Sequence, residues 1–335
     1  MSFLDDINKT LTQTGDSFKQ LSALNPLTIH KKGRKAKAIF ALLMVCFFWG
    51  TTWIASRQGV LHMPALQLAG MRQLLGGLCY VIFFSIRGEQ WPNKKQWQTI
   101  AILGVLNFLL SNGLTTWGVK YISAGLGSII GATFPLSMVV INLFSSRAKL
   151  PLKAIFGFII GFAGICVVFY EHLHDFLNAG FRFGIILSFL GTTSWAFGTL
   201  YTKKKAEIFN PYFSLGLQMC ISGSGLLTLS GFTGNTIPIT EIPWQSWAAI
   251  SYLVIFGSVI SFIAYLYALQ NLTAEQTSVY AYINPVVAVL LGWLIFDEQL
   301  TIYIALGGLI TLTGVYLINR ALKTPSPALP ESEGV

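Results

Sequence analysis

TAEQTSVYAYINP, Thr273–Pro285, has a counterpart 150 residues earlier in SAGLGSIIGATFP, Ser123–Pro135. Ala124 aligns with Ala274, Ser128 with Ser278 and Pro135 with Pro285, without a gap. Each copy opens an apolar run long enough for a membrane span, and each sets a proline near the middle of that run. A proline inside a helix removes an N–H and clashes with the carbonyl four residues back, so both runs are expected to kink or break there. Lipid tolerates carbonyls released in this way only against protein or a wet cavity. Interruptions at matching places in two halves of a chain point to a transporter's binding site. Pro135 and Pro285 are the candidate kink and gating positions.

Composition agrees. The 335-residue chain is 53% hydrophobic and 10% charged, with 32 glycines. Soluble domains carry about 25% charged residues, so most of this chain belongs in lipid. The net charge of +9 does not indicate nucleic acid, because the basic residues cluster between apolar runs in the manner of membrane topology. Cys46, Cys79, Cys166 and Cys220 fall inside apolar runs without metal-ligand spacing, and read as small residues packing between helices.

Crossing about 30 Å of hydrocarbon takes roughly 20 apolar residues. Ten such runs lie near 37–57, 65–86, 97–117, 122–144, 152–170, 182–202, 211–231, 247–269, 275–296 and 301–320. The expected fold is an all-α integral membrane bundle of ten transmembrane helices. Residues 1–36 form a polar tail that reads either as a mobile segment or as a short interfacial helix. The start is acidic and lacks the apolar core of a secretory signal. Residues 321–335 read as a disordered tail. Eighteen of 22 Lys and Arg residues fall on the N-terminal side, which places both termini in the cytoplasm of a plasma-membrane protein, the inner membrane in a bacterium.

The 150-residue offset also aligns Trp97 with Trp247, Ser111 with Ser261, Gly157 with Gly307 and Gly164 with Gly314. Earlier in the halves it drifts, so that Pro64 meets Pro211 and Trp49–Gly50 meets Trp195–Ala196. The chain is read as two five-helix repeats, 37–170 and 182–320. Five is odd, so the second repeat enters from the opposite side and the two are inverted.

FFWGTTW at 47–53, MPALQLAGMR at 63–72, KYISAGLGSIIGATFP at 120–135 and NLTAEQTSVYAYINPVVAVLLGWLIFDEQLT at 271–301 together resemble the drug/metabolite transporter superfamily, EamA-type branch. The resemblance covers 37–320. It implies an exporter or exchanger of amino acids, metabolites or drugs. It also implies that the first four spans of each half surround a central cavity, with the fifth and tenth outside it. One departure is visible: the acidic turn Asp297–Glu298 has Arg147–Ala148 as its counterpart.

The residues themselves nominate a site. Arg72 is the one charge placed inside the hydrocarbon. It reads as an anchor for a substrate carboxylate, or as a structural cation bound to carbonyls. Trp49 and Trp195 are symmetry mates near the midplane, where an indole N–H needs a protein or water partner. Asn112, Gln218 and Asn284 must each hydrogen-bond across helices or to water. Tyr280 sits one turn before Asn284 on the same face, and Ser128 lies on the matching helix of the first half. Hydroxyls at Thr51, Thr52, Thr192 and Thr193 are expected to bond their own helices. Gly127–Gly131 and Gly157–Gly161 have GxxxG spacing and read as packing surfaces, with a homodimer contact as an option for the fifth and tenth spans. His172 and His174 with Asp175 read as a solvated loop rather than a metal site. No cofactor motif is present.

The sequence therefore predicts a secondary transporter using alternating access, with a small-molecule substrate, a lipid surround and no nucleic-acid partner. A zwitterionic or weakly anionic metabolite such as an amino acid is expected, and a multidrug, sugar or nucleotide-sugar carrier of the same superfamily is the alternative. A membrane-embedded enzyme would need intramembrane nucleophiles, carboxylate pairs or an HExxH motif, and none is present. A non-transporting scaffold would not need interrupted helices bearing amides at matched depth.

Overall fold

Apolar runs of this length become helices because lipid leaves backbone groups no partners but one another. The computed structural model describes residues 34–145, 152–205, 209–272, 277 and 279–321. Its principal elements are α1 (Arg34–Val60), α2 (Ala65–Ile86), α3 (Lys94–Gly118), α4 (Ala124–Ala132), α5 (Phe134–Ser145), α6 (Leu152–Glu171), α7 (Ala179–Lys205), α8 (Pro211–Phe232), α9 (Trp244–Asn271), α10 (Tyr280–Phe296) and α11 (Ile302–Ala321). No strand occurs among the described residues. Among the described residues, eight helices are long and apolar enough to cross a membrane, namely α1, α2, α3, α6, α7, α8, α9 and α11. The remaining two expected spans are shorter apolar segments, Ala124–Ser137 and Tyr280–Phe296. The terminal segments 1–33 and 322–335, with the expected interfacial helix and tail, lie outside the described residues. So do Arg147, Ala148 and Glu275.

Short polar stops set the connections. Asn93 caps α3, accepting from the N–H groups of Lys95 and Gln96 at 3.1 and 3.0 Å, while the Gln96 side chain accepts from the Asn93 N–H at 2.8 Å. Asn210 caps α8 ahead of Pro211, whose missing N–H costs nothing at the first helical position.

The two prolines behave differently, which corrects the expectation of two equivalent kinks. In the first half the helix breaks at Thr133, between α4 and α5. Pro135 is the second residue of α5, where an N–H would lack a helical partner anyway. In the second half Pro285 is the sixth residue of a continuous α10. The turn that precedes α10 lies at Val279, upstream of the proline.

Glycines bring α6 and α11 into backbone contact. A Cβ on Gly314 would lie 2.2 Å from the Gly161 nitrogen and 2.6 Å from the Gly157 oxygen, and one on Gly164 would lie 2.4 Å from the Thr311 nitrogen. The fifth and tenth expected spans therefore spend their small-residue stripes on each other, within one chain. The same device joins α2 to α8, where a Cβ on Gly77 would meet the Cys220 nitrogen at 2.7 Å. Of the four cysteines, Cys46 is buried and Cys220 half-buried. Cys79 and Cys166 are exposed on the outer surface of the bundle rather than packed between helices.

Two further features shape the bundle. Gly104–Asn112 in α3 and Leu253–Ile260 in α9 are π-helical, at matching places in the two halves. A π turn widens the helix and leaves carbonyls free for other donors. Leu253–Ile260 uses this directly. The Trp49 indole donates to the Gly257 carbonyl at 3.2 Å, and the Tyr80 hydroxyl donates to those of Ser258 and Val259 at 3.1 and 2.9 Å.

The second feature is the acidic turn. Asp297 ends α10 in the left-handed region with φ 51°, and the Glu298 N–H returns to the Gly292 carbonyl at 3.2 Å. This turn swings the Glu298 carboxylate onto the N-terminus of α4, in the other half of the chain. There it accepts from the Ala124 and Gly125 N–H groups at 2.7 and 3.1 Å. Arg57 completes the arrangement by donating to the carbonyls of Val119 and Lys120, just beyond α3, at 2.6 and 2.9 Å. An anion at a helix start and a cation at a helix end both complement the helix dipole. Glu298→Ala is expected to cost about 1–3 kcal/mol, and Glu298→Gln less, because the amide keeps one acceptor. Melting temperatures in detergent measure this, and a Glu298→Ala variant melting with the wild type would show the cap to be idle.

Candidate functional site

The site starts at α1. Trp49 points inward because its indole N–H finds the freed Gly257 carbonyl and its ring meets three others: Phe262, Tyr265 and Tyr280, at centroid separations of 5.1, 5.1 and 5.0 Å. Gly50 allows α10 to press against α1, since a Cβ there would meet Val287 Cβ at 2.6 Å. One turn after Trp49, Trp53 lies flat over α4. Gly127 and Gly131 leave room for its ring, and a Cβ on Gly131 would lie 2.9 Å from it. That GxxxG pair is a seat for an indole rather than a helix-pairing motif.

These side chains border a central cavity of about 190 Å³. Its wall comes from both halves: Trp49, Thr52, Trp53 and Ser56 of α1, Arg72 of α2, Ser111, Asn112, Thr115 and Thr116 of α3, Ser128 of α4, Phe134 of α5, Thr192 and Trp195 of α7, Phe262 of α9, and Tyr280, Asn284 and Pro285 of α10. Of the ten residues nominated from sequence for substrate binding and gating, Trp49, Arg72, Asn112, Ser128, Trp195, Tyr280, Asn284 and Pro285 meet there. Two do not. Pro135 is displaced because the break precedes it, and Phe134 takes its place. Gln218 sits on α8 against Gly104, where its amide donates to Ser214 Oγ at 3.0 Å, and it borders a different cavity.

Arg72 is buried, with 7% of its surface exposed. Nε donates to Ser258 Oγ and Nη1 to Asn112 Oδ1, both at 3.3 Å. Asn112 thus serves mainly to hold the guanidinium. The Asn284 amide nitrogen, oriented to satisfy its surroundings, donates to the carbonyls of Tyr280 and Cys46 at 3.0 and 2.8 Å, tying α10 to α1. Both its N–H groups are then used, and what it retains is a carbonyl acceptor. The Tyr265 and Tyr280 hydroxyls share a hydrogen bond. Most hydroxyls bond their own helices: Ser128 to Gly125 at 2.6 Å, Thr52 to Trp49 at 2.6 Å and Thr192 to Ser188 at 2.9 Å. Thr51 also reaches the Tyr252 hydroxyl at 2.6 Å, and Thr193 lies 3.5 Å from the Ser137 hydroxyl.

Two more cavities lie at the ends of the bundle. One, of about 450 Å³, opens toward the Lys94 end and includes Gln96, Asn107, Gln218 and Tyr265. Trp195 and Phe262 border both this cavity and the central one, so these two rings are the partition between them. The other, of about 540 Å³, lies at the opposite end against Arg57, Tyr121, His172 and Glu298. His172 pairs with Asp175 at 2.8 Å, and no group of three metal-binding side chains occurs among the described residues.

Sequence reasoning missed Trp53, Phe262 and the hydroxyls Ser56, Thr115 and Thr116. Trp53 was legible in principle, being four residues from Trp49 and so on its face. Phe262 was not, because a phenylalanine in an apolar span carries no signal of facing inward.

The profile of the EamA-like transporter family matches this chain twice, over residues 36–170 and 182–320. The chain is 31% identical over 304 residues to YedA, an uncharacterized inner membrane transporter of Escherichia coli (strain K12), covering 87% of this chain and 93% of that one. It is 27% identical over 296 residues to YvbV, an uncharacterized transporter of Bacillus subtilis (strain 168), covering 88% and 95%. A chloroplastic WAT1-related protein of Arabidopsis thaliana is 25% identical over 287 residues, covering 83% of this chain and 68% of its own. A solved crystal structure superposes with a TM-score of 0.60 at 15% identity, covering 86% of this chain and 99% of its own, a likeness of fold alone.

Proposed function

Because the chain belongs to the EamA-like transporter family, we propose that it is a ten-span secondary transporter in which two inverted five-helix repeats alternate access to the central cavity. The protein is a multi-pass integral membrane protein. The observation that carries the proposal is the shared wall of that cavity. Trp49 and Trp195 come from matched helices of the two halves, as do the interrupted α4–α5 segment and α10. The matched π segments and the α2–α8 and α6–α11 pairings fit the same pseudo-symmetry. In this scheme α4 and α5 together make one interrupted span and the short, continuous α10 another, and both termini are cytoplasmic by the Lys and Arg bias. The substrate is a small metabolite carrying a carboxylate, a class that takes in both simple carboxylic acids and amino acids. A cavity of about 190 Å³ falls below the roughly 300–1,000 Å³ of drug-sized sites, which weighs against large drugs and nucleotide sugars.

Alternation has a direct test. In a variant with its four cysteines replaced by Ser, Leu266→Cys reports the Lys94 end and Leu61→Cys the opposite end. A transported substrate is expected to raise reactivity toward an impermeant thiol reagent at one position while lowering it at the other. Reactivities that rise and fall together, alongside measured flux, would rule out alternating access.

A further inference from the structure

We propose, building on the central cavity as the transport site, that its ligand is a net monoanion: one carboxylate on a small aromatic or apolar body, held by Arg72.

A guanidinium carries five N–H donors. Arg72 uses one on Nε and one on Nη1, both toward neutral oxygens at 3.3 Å, longer than charge-assisted bonds normally are. One donor on Nη1 and two on Nη2 remain. A carboxylate bound fork to fork needs two of them. Among the described residues no Asp or Glu lines the cavity, so no described carboxylate in its wall neutralises the cation. A buried guanidinium held by neutral partners alone is costly to keep in a membrane interior. Its cost falls when an anion enters, and that difference favours an anionic ligand over a neutral one.

The rest of the wall argues against a second charge on the ligand. The aromatic rings of Trp49, Trp53, Trp195, Phe262 and Tyr280 all line the cavity. The hydroxyls of Ser128, Thr52 and Thr192 already donate to carbonyls of their own helices. A zwitterion would bring an ammonium into a wall whose described residues offer it aromatic faces and neutral acceptors such as Asn284 but no carboxylate, a weaker return than the guanidinium gives the carboxylate. A simple carboxylic acid brings no such group. The cavity therefore ranks an aromatic monocarboxylate above the corresponding amino acid, and both above the amine or amide. Net efflux of such an ion carries one negative charge per molecule, so an inside-negative potential drives it outward by about 50-fold per 100 mV.

The test uses the full chain in proteoliposomes and four matched probes: 3-phenylpropionate, phenylalanine, phenethylamine and 3-phenylpropanamide. Flux through protein-free vesicles is subtracted. The acid is expected to exchange at least 10-fold faster than the other three and to raise the melting temperature most. An inside-negative potential is expected to accelerate its net efflux. Arg72→Gln is expected to abolish the acid's advantage in both readouts, Arg72→Lys to keep part of it, and Glu275→Gln to keep it whole. Phenylalanine or the amide matching the acid, or an advantage that survives Arg72→Gln, would overturn the assignment. Wild-type vesicles loaded with a labelled metabolite mixture separate the two readings. If they exchange components of the mixture but not the acid, the anion assignment fails and the transporter reading stands; if they exchange nothing, both fail.

Discussion

Gly314→Leu is expected to leave little folded protein, whereas Gly308→Leu on the same helix is expected to fold normally. The contrast follows from what each Cβ would meet. At Gly314 it would lie 2.2 Å from a backbone nitrogen of α6, and backbone has nowhere to retreat. At Gly308 its nearest neighbour is the tip of Ile129, at 3.9 Å. Forcing α6 and α11 apart removes their close packing along Gly157, Gly161, Gly164 and Gly307 together, and in lipid packing of this kind is what holds helices to one another. Overpacking costs about 1–3 kcal/mol where side chains can adjust, and here the obstacle is main chain, so the loss should exceed about 3 kcal/mol. Gly308→Leu keeps the seam and exchanges a poor helix former for a good one, a change of about 1 kcal/mol in its favour. Size-exclusion recovery and melting temperature after detergent extraction decide the matter. Equal recovery of the two variants would mean that the seam contributes little.

The second large effect is at Trp49. Trp49 is half-buried, so Trp49→Ala should cost about 2–4 kcal/mol, somewhat below the range for a fully buried indole, and should abolish exchange of any substrate that occupies the central cavity. The ring supports Phe262, Tyr265 and Tyr280 at once, so its loss lets α1, α9 and α10 shift together. Trp49→Phe separates the two contributions. It keeps much of the aromatic packing but removes the donor to the Gly257 carbonyl, for about 0.5–1.5 kcal/mol. It should therefore fold and exchange substrate at a reduced rate. Folded Trp49→Ala protein that transports at the wild-type rate would remove Trp49 from the site.

The architecture was readable where chemistry in lipid is unforgiving. Amides and a guanidinium cannot face hydrocarbon, so Asn112, Asn284 and Arg72 had to turn inward, and they did. The same argument located Trp49. It failed for Gln218, because a second cavity beside α8 satisfies an inward-turned amide equally well. Proline was a weaker guide. Pro135 marks a break that belongs to Thr133 and stands where an N–H would lack a helical partner anyway, whereas Pro285 sits inside a continuous α10, at the cost of the bond its N–H would have made to the Ala281 carbonyl. The GxxxG pairs show what spacing alone leaves open. Gly157–Gly161 packs helix on helix, while Gly127–Gly131 holds a ring, and only the partner distinguishes them. Glu298 was visible as an asymmetry between the halves. Its partners, the first N–H groups of a helix 174 and 173 positions away, had no trace in the local sequence.

The wide turns in α3 and α9 bear on how such helices move. A π segment holds one more residue than an α-helix of the same course, with each bond reaching back five positions instead of four. That surplus residue can migrate. When the wide turn steps along the helix, the residue it passes swings by about 100° while both ends stay in place. The bonds are exchanged one at a time, so no stretch of backbone is stripped of partners in the lipid. A side chain on the passing turn, such as Asn112 or Ser258, can thus be rotated toward or away from Arg72 as a dislocation travels through the helix, with no hinge and no sliding of the bundle.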